Sequence, residues 1–123
     1  MFVTERFILD PSTVEELYSL TPEFGYNGFG EFVFYRTYSR AKPDGSMETW
    51  HDVVKRVIEG TFSIRKNHYV KNYIEWDESF WQHYARQFGL GLFHMKWLPP
   101  GRGLWATGSE FVYERGSMAL QNC

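Results

Sequence analysis

The sequence predicts a mainly α chain with one or two extended segments, on three observations. Trp50, Val53, Val54, Val57, Ile58, Thr61 and Phe62 fall at i, i+3, i+4, i+7, i+8, i+11 and i+12, one stripe of a 3.6-residue period. A second stripe, Phe80, Trp81, Tyr84, Phe88, Leu92 and Met95, runs on toward Pro99-Pro100. Between Glu31 and Arg40 both alternating sets carry rings or branched residues, Phe32, Phe34, Arg36 and Tyr38 against Val33, Tyr35, Thr37 and Ser39. That run reads as an extended segment buried on both sides.

In chain order, residues 1–24 are weakly patterned. Pro11-Ser12-Thr13 ahead of Val14, Leu17 and Leu20 marks a short helix, with Ser12 or Thr13 as cap and Glu15 and Glu16 in its first turn. Gly25, Asn27, Gly28 and Gly30 break the chain without spelling a dinucleotide loop, and Ala41 to Ser46 is a turn around Pro43-Asp44-Gly45. The long helix runs from Thr49 to about Asn67, with Thr49 as cap and Asp52 three residues on. Arg65, Lys66, His68 and Lys71 suit the negative end of its dipole; a phosphate contact is the other reading. The next helix runs from Asp77 through Gly89 and Gly91 to about Lys96 and is stopped by the two prolines. Beyond them, Gly103 to Ser109 is too rich in glycine to assign. Glu110 to Glu114 fits a helical turn or a short strand closed by Gly116, and Met118 to Cys123 fits a buried strand.

With 123 residues the chain makes one core at most. Aromatic residues reach 20%, so much of that core is flat rings. A net charge of −2 gives no basic field for DNA or RNA. The N-terminus is not a secretory leader, no apolar run is long enough for a membrane span, and one cysteine makes no internal disulfide, so a cytoplasmic setting is the default. The four histidines lie 17, 15 and 11 residues apart, without ligand spacing, so no metal site is expected. Glu15-Glu16 and Asp77-Glu78 read as dipole partners rather than an acid/base pair, and the periodic rings as core rather than a base-stacking platform. Cys123 stands alone: spacing leaves it open between an inert side chain and a reactive thiol.

Three blocks carry a resemblance. NGFGEFVFYRTYSR (27–40), RVIEGTFSIRKNH (56–68) and FHMKWLPPGRGLWATGSEFVYERGSMALQNC (93–123), in that order, closely resemble the N-terminal part of adenosylcobalamin-dependent, class II ribonucleotide reductases of the monomeric ribonucleoside-triphosphate type. The resemblance implies a helical N-terminal region, residues 1–97, packed outside a ten-stranded α/β barrel. Residues 98–123 would enter that barrel, with MALQNC as its first strand. It implies that Cys123 is one of two thiols that reduce the ribose 2′ carbon in a thiyl-radical reaction serving deoxyribonucleotide synthesis for DNA replication. It further implies that Arg102, Gly103 and Asn122 lie near the substrate's ribose and phosphates. A glycine turn lets N–H groups approach an anion, and arginine grips phosphate with two donors, although a structural salt bridge is the other reading of Arg102. The radical cysteine, the second reducing cysteine, the adenosylcobalamin surface and the thiols served by a thioredoxin-like reductant belong downstream, so these residues alone are expected to be inactive. Protein splicing at Asn122-Cys123, a broken gene and an incomplete sequence each account for a sequence that stops there. A free-standing binding or assembly module, docking through its aromatic surface, is the competing reading.

Overall fold

The computed structural model describes residues 2–116, which form six helices and no strand. α3 (Trp50–Lys71) is the axis of the molecule, and its N-terminus carries the capping box expected from Thr49 and Asp52. The Thr49 side chain accepts from the Asp52 N–H, and Oδ2 of Asp52 accepts from the Thr49 N–H at 2.9 Å. Trp50, Val53, Val54, Val57, Ile58 and Phe62 are all buried, as their spacing predicts. Thr61 is exposed and does not belong to the stripe.

α4 (Glu78–Phe93) lies against α3 and is capped by Asp77, which accepts from the Phe80 N–H at 3.1 Å. Its inward face is rotated from the predicted one: Trp81, Ala85, Gly89, Leu92 and Phe93 are buried, whereas Phe80 is 52% exposed. Small residues let α3 approach, so Ala85 and Gly89 mark the contact and the large rings flank it. The helix ends three residues before the predicted Lys96. Met95 adopts a left-handed φ of 56°, and the N–H groups of Met95 and Lys96 return to Leu92 and Gly91. That hydrogen-bonded reversal is the stop; Pro99 and Pro100 lie beyond it.

α1 (Pro11–Tyr18) begins with Asp10 in the cap position and Pro11 as first residue, so Ser12 and Thr13 lie inside it. Its first turn holds no acid, and Glu16 instead meets Arg86 of α4 through two hydrogen bonds of 2.8 and 2.7 Å. α2 (Phe29–Thr37) replaces the predicted extended segment. An extended run must find a neighbouring strand for its backbone groups, and none exists among the described residues, whereas a helix satisfies them internally. Gly28, with φ 92°, turns the chain into it, and Phe34 anchors it on Phe24 and Trp50.

α5 (Gly101–Ala106) and α6 (Glu110–Arg115) resolve the unassigned glycine-rich stretch as two short helices, α6 closing on Gly116 at φ 86°. Leu104 of α5 joins the main core. The predicted strand Met118 to Cys123 lies outside the described residues.

The N-terminal segment is held by polar side chains rather than by a sheet. Asn67, Ser63 and Glu59, one helical turn apart on α3, accept the N–H groups of Thr4, Phe7 and Leu9 at 3.1, 2.8 and 2.9 Å. Gln82 continues the series, accepting from Asp10 and donating to the Ile8 carbonyl. Val3, Phe7 and Leu9 thereby enter the core while Ile8 faces out. Burial of a ring such as Phe7 contributes about 1.5–3 kcal/mol. Phe7, Phe62, Tyr69, Trp76 and Trp81 form a connected ring cluster, with Trp76 stacked on Trp81 at 5.0 Å.

Candidate functional site

Of the four residues expected near substrate, the described structure holds Arg102 and Gly103; Asn122 and Cys123 lie outside it. The two are the second and third residues of α5. Arg102 is exposed and pairs with no carboxylate among the described residues. Gly103 is buried, and its N–H donates to the Pro100 carbonyl at 2.8 Å. The expected glycine turn is therefore the first turn of a helix, and this N–H is spent within it.

What fixes α5 is a pair of arginines at its C-terminal end. Arg56 of α3 donates to the carbonyls of Thr107 and Leu104 at 2.7 and 2.8 Å, and it grips Glu48 through Nε and Nη2 at 2.8 and 3.0 Å. Both side chains of that pair are nearly buried, 12% and 11% exposed. Arg40 adds a bond from Nη1 to the Trp105 carbonyl at 3.0 Å and lies over the Trp105 ring at 4.0 Å. Cations here meet the negative end of the helix and satisfy carbonyls that it leaves open. Burial, reinforced by the neighbouring Arg56 charge, draws the Arg40 pKa below its ordinary value against the pull of Glu48. Glu48 is held in turn by the Arg40 N–H at 3.0 Å, and its own carbonyl accepts from Ser39 Oγ.

Backbone meets backbone beneath this clamp. A Cβ on Gly60 of α3 would stand 2.4 Å from the Gly108 Cα, and one on Gly108, at φ 80°, would stand 2.2 Å from the Arg56 carbonyl oxygen. Only glycine at both positions allows α3 to seat the α5–α6 connection so closely.

A charged cleft of about 290 Å³ adjoins the clamp, lined by Arg6, Lys42, Asp52, Lys55, Arg56 and Glu59 among others. Asp52 accepts from Tyr18 Oη, from the Thr49 N–H and from Lys42 Nζ. Burial opposes its ionisation, yet these donors outweigh it and lower its pKa to about 2. Burial first, then the bond to Asp52, pushes the Tyr18 phenol upward. The cations of this cleft are matched by its carboxylates, so it presents no anion-binding field. At the α3 end, where a phosphate contact was the alternative to a dipole-matched end, Lys66 faces Glu78, Lys71 donates to the Phe2 carbonyl, and Arg65 lies over Trp81. No group of three metal-ligating side chains occurs among the described residues, and none of their helices is long and apolar enough to cross a membrane.

Sequence reasoning missed Arg56, Glu48, Gly60 and Gly108. Their signal is weak, since the partners lie 8 to 51 residues apart.

The helical arrangement has a solved counterpart. It superposes with a TM-score of 0.72 on the crystal structure of a B12-dependent, class II ribonucleotide reductase, covering 85% of this chain and 14% of that one at 24% identity. Residues 9–109 match the ribonucleotide reductase alpha domain, and the chain belongs to that family. It is 46% identical over 121 residues to the adenosylcobalamin-dependent ribonucleoside-triphosphate reductase of Euglena gracilis, covering 97% of this chain and 17% of the relative. A probable reductase of the same description in Dictyostelium discoideum is 36% identical over 120 residues, covering 97% and 16%. That of Lacticaseibacillus paracasei is 29% identical over 123 residues, covering 98% and 16%. The chain thus spans about a sixth of the length of the curated relatives it matches. These relatives are reductases by name, and the free-standing docking module gains no support from them.

Proposed function

We propose that these residues are the N-terminal part of an adenosylcobalamin-dependent ribonucleoside-triphosphate reductase, with residues 1–97 as an outer helical region and 98–123 as the entry to its catalytic barrel. The observation that carries this is the 46% identity to the Euglena reductase, maintained over 97% of the chain. Cys123 is then one of two reducing thiols. Replacing the 2′ hydroxyl of the ribonucleotide by hydrogen releases water and consumes two electrons and two protons, which the two thiols supply as they join in a disulfide. A thioredoxin-like dithiol restores them.

Two cavities among the described residues do not fit the cofactor. The apolar one, of about 360 Å³, is too small for a corrin ring with its adenosyl and nucleotide arms, and the charged cleft is filled by its own ion pairs. When bound by the rest of the enzyme, adenosylcobalamin supplies the radical. The role of this chain lies on the substrate side. α5 is held by Arg56 and Arg40, its exposed Arg102 is the residue assigned to the phosphates, and Asn122 and Cys123 are the residues assigned to the ribose.

The test is a chimera that joins this chain to the remaining residues of the Euglena reductase, assayed for deoxynucleotide formation with adenosylcobalamin and a dithiol. The chimera forms product, Cys123→Ser lowers turnover by about 100-fold or more, and the 123 residues alone form none. Full turnover in the Cys123→Ser chimera would refute the role of this thiol.

A further inference from the structure

α2 holds five apolar side chains, Phe29, Phe32, Val33, Phe34 and Tyr35, beside the charged Glu31 and Arg36, yet Phe34 is its one buried residue. Adjoining exposed rings of this kind mark an interaction surface. Here Phe29 and Phe32 stack on each other at 6.4 Å while remaining 62% and 58% exposed. Beside them opens the 360 Å³ cavity, lined by Phe24, Tyr26, Phe29, Val33, Trp50 and Leu98 among others. Its walls are almost wholly hydrocarbon and lack the convergent polar groups that orient a small ligand.

The turn ahead of α2 is closed by the Phe29 N–H on the Tyr26 carbonyl at 3.0 Å. Tyr26 and Asn27 have left-handed φ values of 63° and 50° ahead of Gly28. For a tyrosine this costs about 1–2 kcal/mol, and with its side chain 86% exposed the cost is not offset by burial. The ring-rich outer face of α4 differs: Phe80, Tyr84 and Phe88 pack on one another and on Trp81 and Phe62, on regular helix.

We propose that α2 and the 26–28 turn form the seat on which the remainder of the reductase polypeptide docks, placing large uncharged side chains in the cavity and against Phe29 and Phe32. The proposal rests on the reading of this chain as part of a longer reductase. Length supplies the occupant: the matched residues make up 17% of the Euglena relative, so most of that polypeptide lies outside them and is available as cover. The lining names the chemistry, since a charged segment would lose its hydration there without a partner.

The same chimera tests it. Phe32→Cys and, separately, Tyr26→Cys are labelled with a maleimide and read by peptide mass, which keeps them distinct from Cys123. The rate is compared with that of the guanidinium-unfolded chimera. A covered face slows labelling at both positions by more than about 10-fold, whereas an open one stays within that factor. Protection is expected at micromolar and nanomolar concentration alike. Unprotected positions overturn the proposal, and so does protection that disappears on dilution, which assigns the face to a second copy. An inactive chimera with a protected face keeps the docking surface and removes the reductase reading; an active chimera with an open face does the reverse.

Discussion

Replacing Arg56 by methionine removes four hydrogen bonds at once, two to Glu48 and two to the carbonyls of Leu104 and Thr107. Glu48, whose side chain is 11% exposed, is left without its guanidinium partner. Breaking a buried pair from one side costs about 3–5 kcal/mol. The remaining exposure and the retained Arg40 N–H bond to Glu48 place Arg56→Met near the low end, about 3 kcal/mol. Against a total stability of about 5–15 kcal/mol this is a large share. Urea unfolding followed by tryptophan fluorescence reads it: with a slope of about 1.5 kcal/mol/M, the midpoint falls by about 2 M. The double variant Arg56→Met with Glu48→Met recovers most of the loss, because no orphaned charge remains. Amides of residues 103–107 exchange faster in the single variant than the global loss explains, since α5 loses its C-terminal donors. A single-variant cost below about 1 kcal/mol, or exchange at residues 103–107 no faster than the global loss explains, refutes the clamp as the element that fixes α5.

Acid unfolding carries a signature of Asp52. Its folded pKa of about 2 lies below the ordinary 3.8, so its contribution is fully present above 3.8 and is lost as pH falls toward 2. Discounted for solvent screening, the difference is worth about 1 kcal/mol, and Asp52→Asn, less stable at neutral pH, lacks that share of the decline in a pH series of melts. Gly108→Ala forces a Cβ to 2.2 Å from the Arg56 carbonyl oxygen at a left-handed φ, and its melting temperature falls by about 8 °C or more. Gly45→Ala meets only the left-handed φ in open space and costs about 1 kcal/mol.

How much of this was legible follows from where the information lies. α3 was readable because its stripe and its capping box sit within one contiguous stretch. α2 was misread because rings on every side give no contrast between period 2 and period 3.6, and the absence of a partner strand cannot be seen locally. The face of α4 was misplaced because ring size attracted the assignment, whereas Ala85 and Gly89 determine where α3 fits. Arg102 and Gly103 are assigned through resemblance alone, and the structure alters the local reading of one: Gly103 is a buried helical residue. The Arg56–Glu48 clamp stayed hidden because its parts come from three separate segments of the chain.

The polar rungs of α3 have a geometric consequence. Four residues of helix advance about 6.0 Å, and two residues of extended chain advance about 6.6 Å. Ser63 and Glu59 therefore meet Phe7 and Leu9 almost in step, like a coarse scale set against a fine one. One residue inserted between Phe7 and Leu9 breaks that match and reverses which side chains face inward. Residues 4–10 thus behave as a keyed edge, tolerant of exchange at outward-facing Ile8 but not of a change in length.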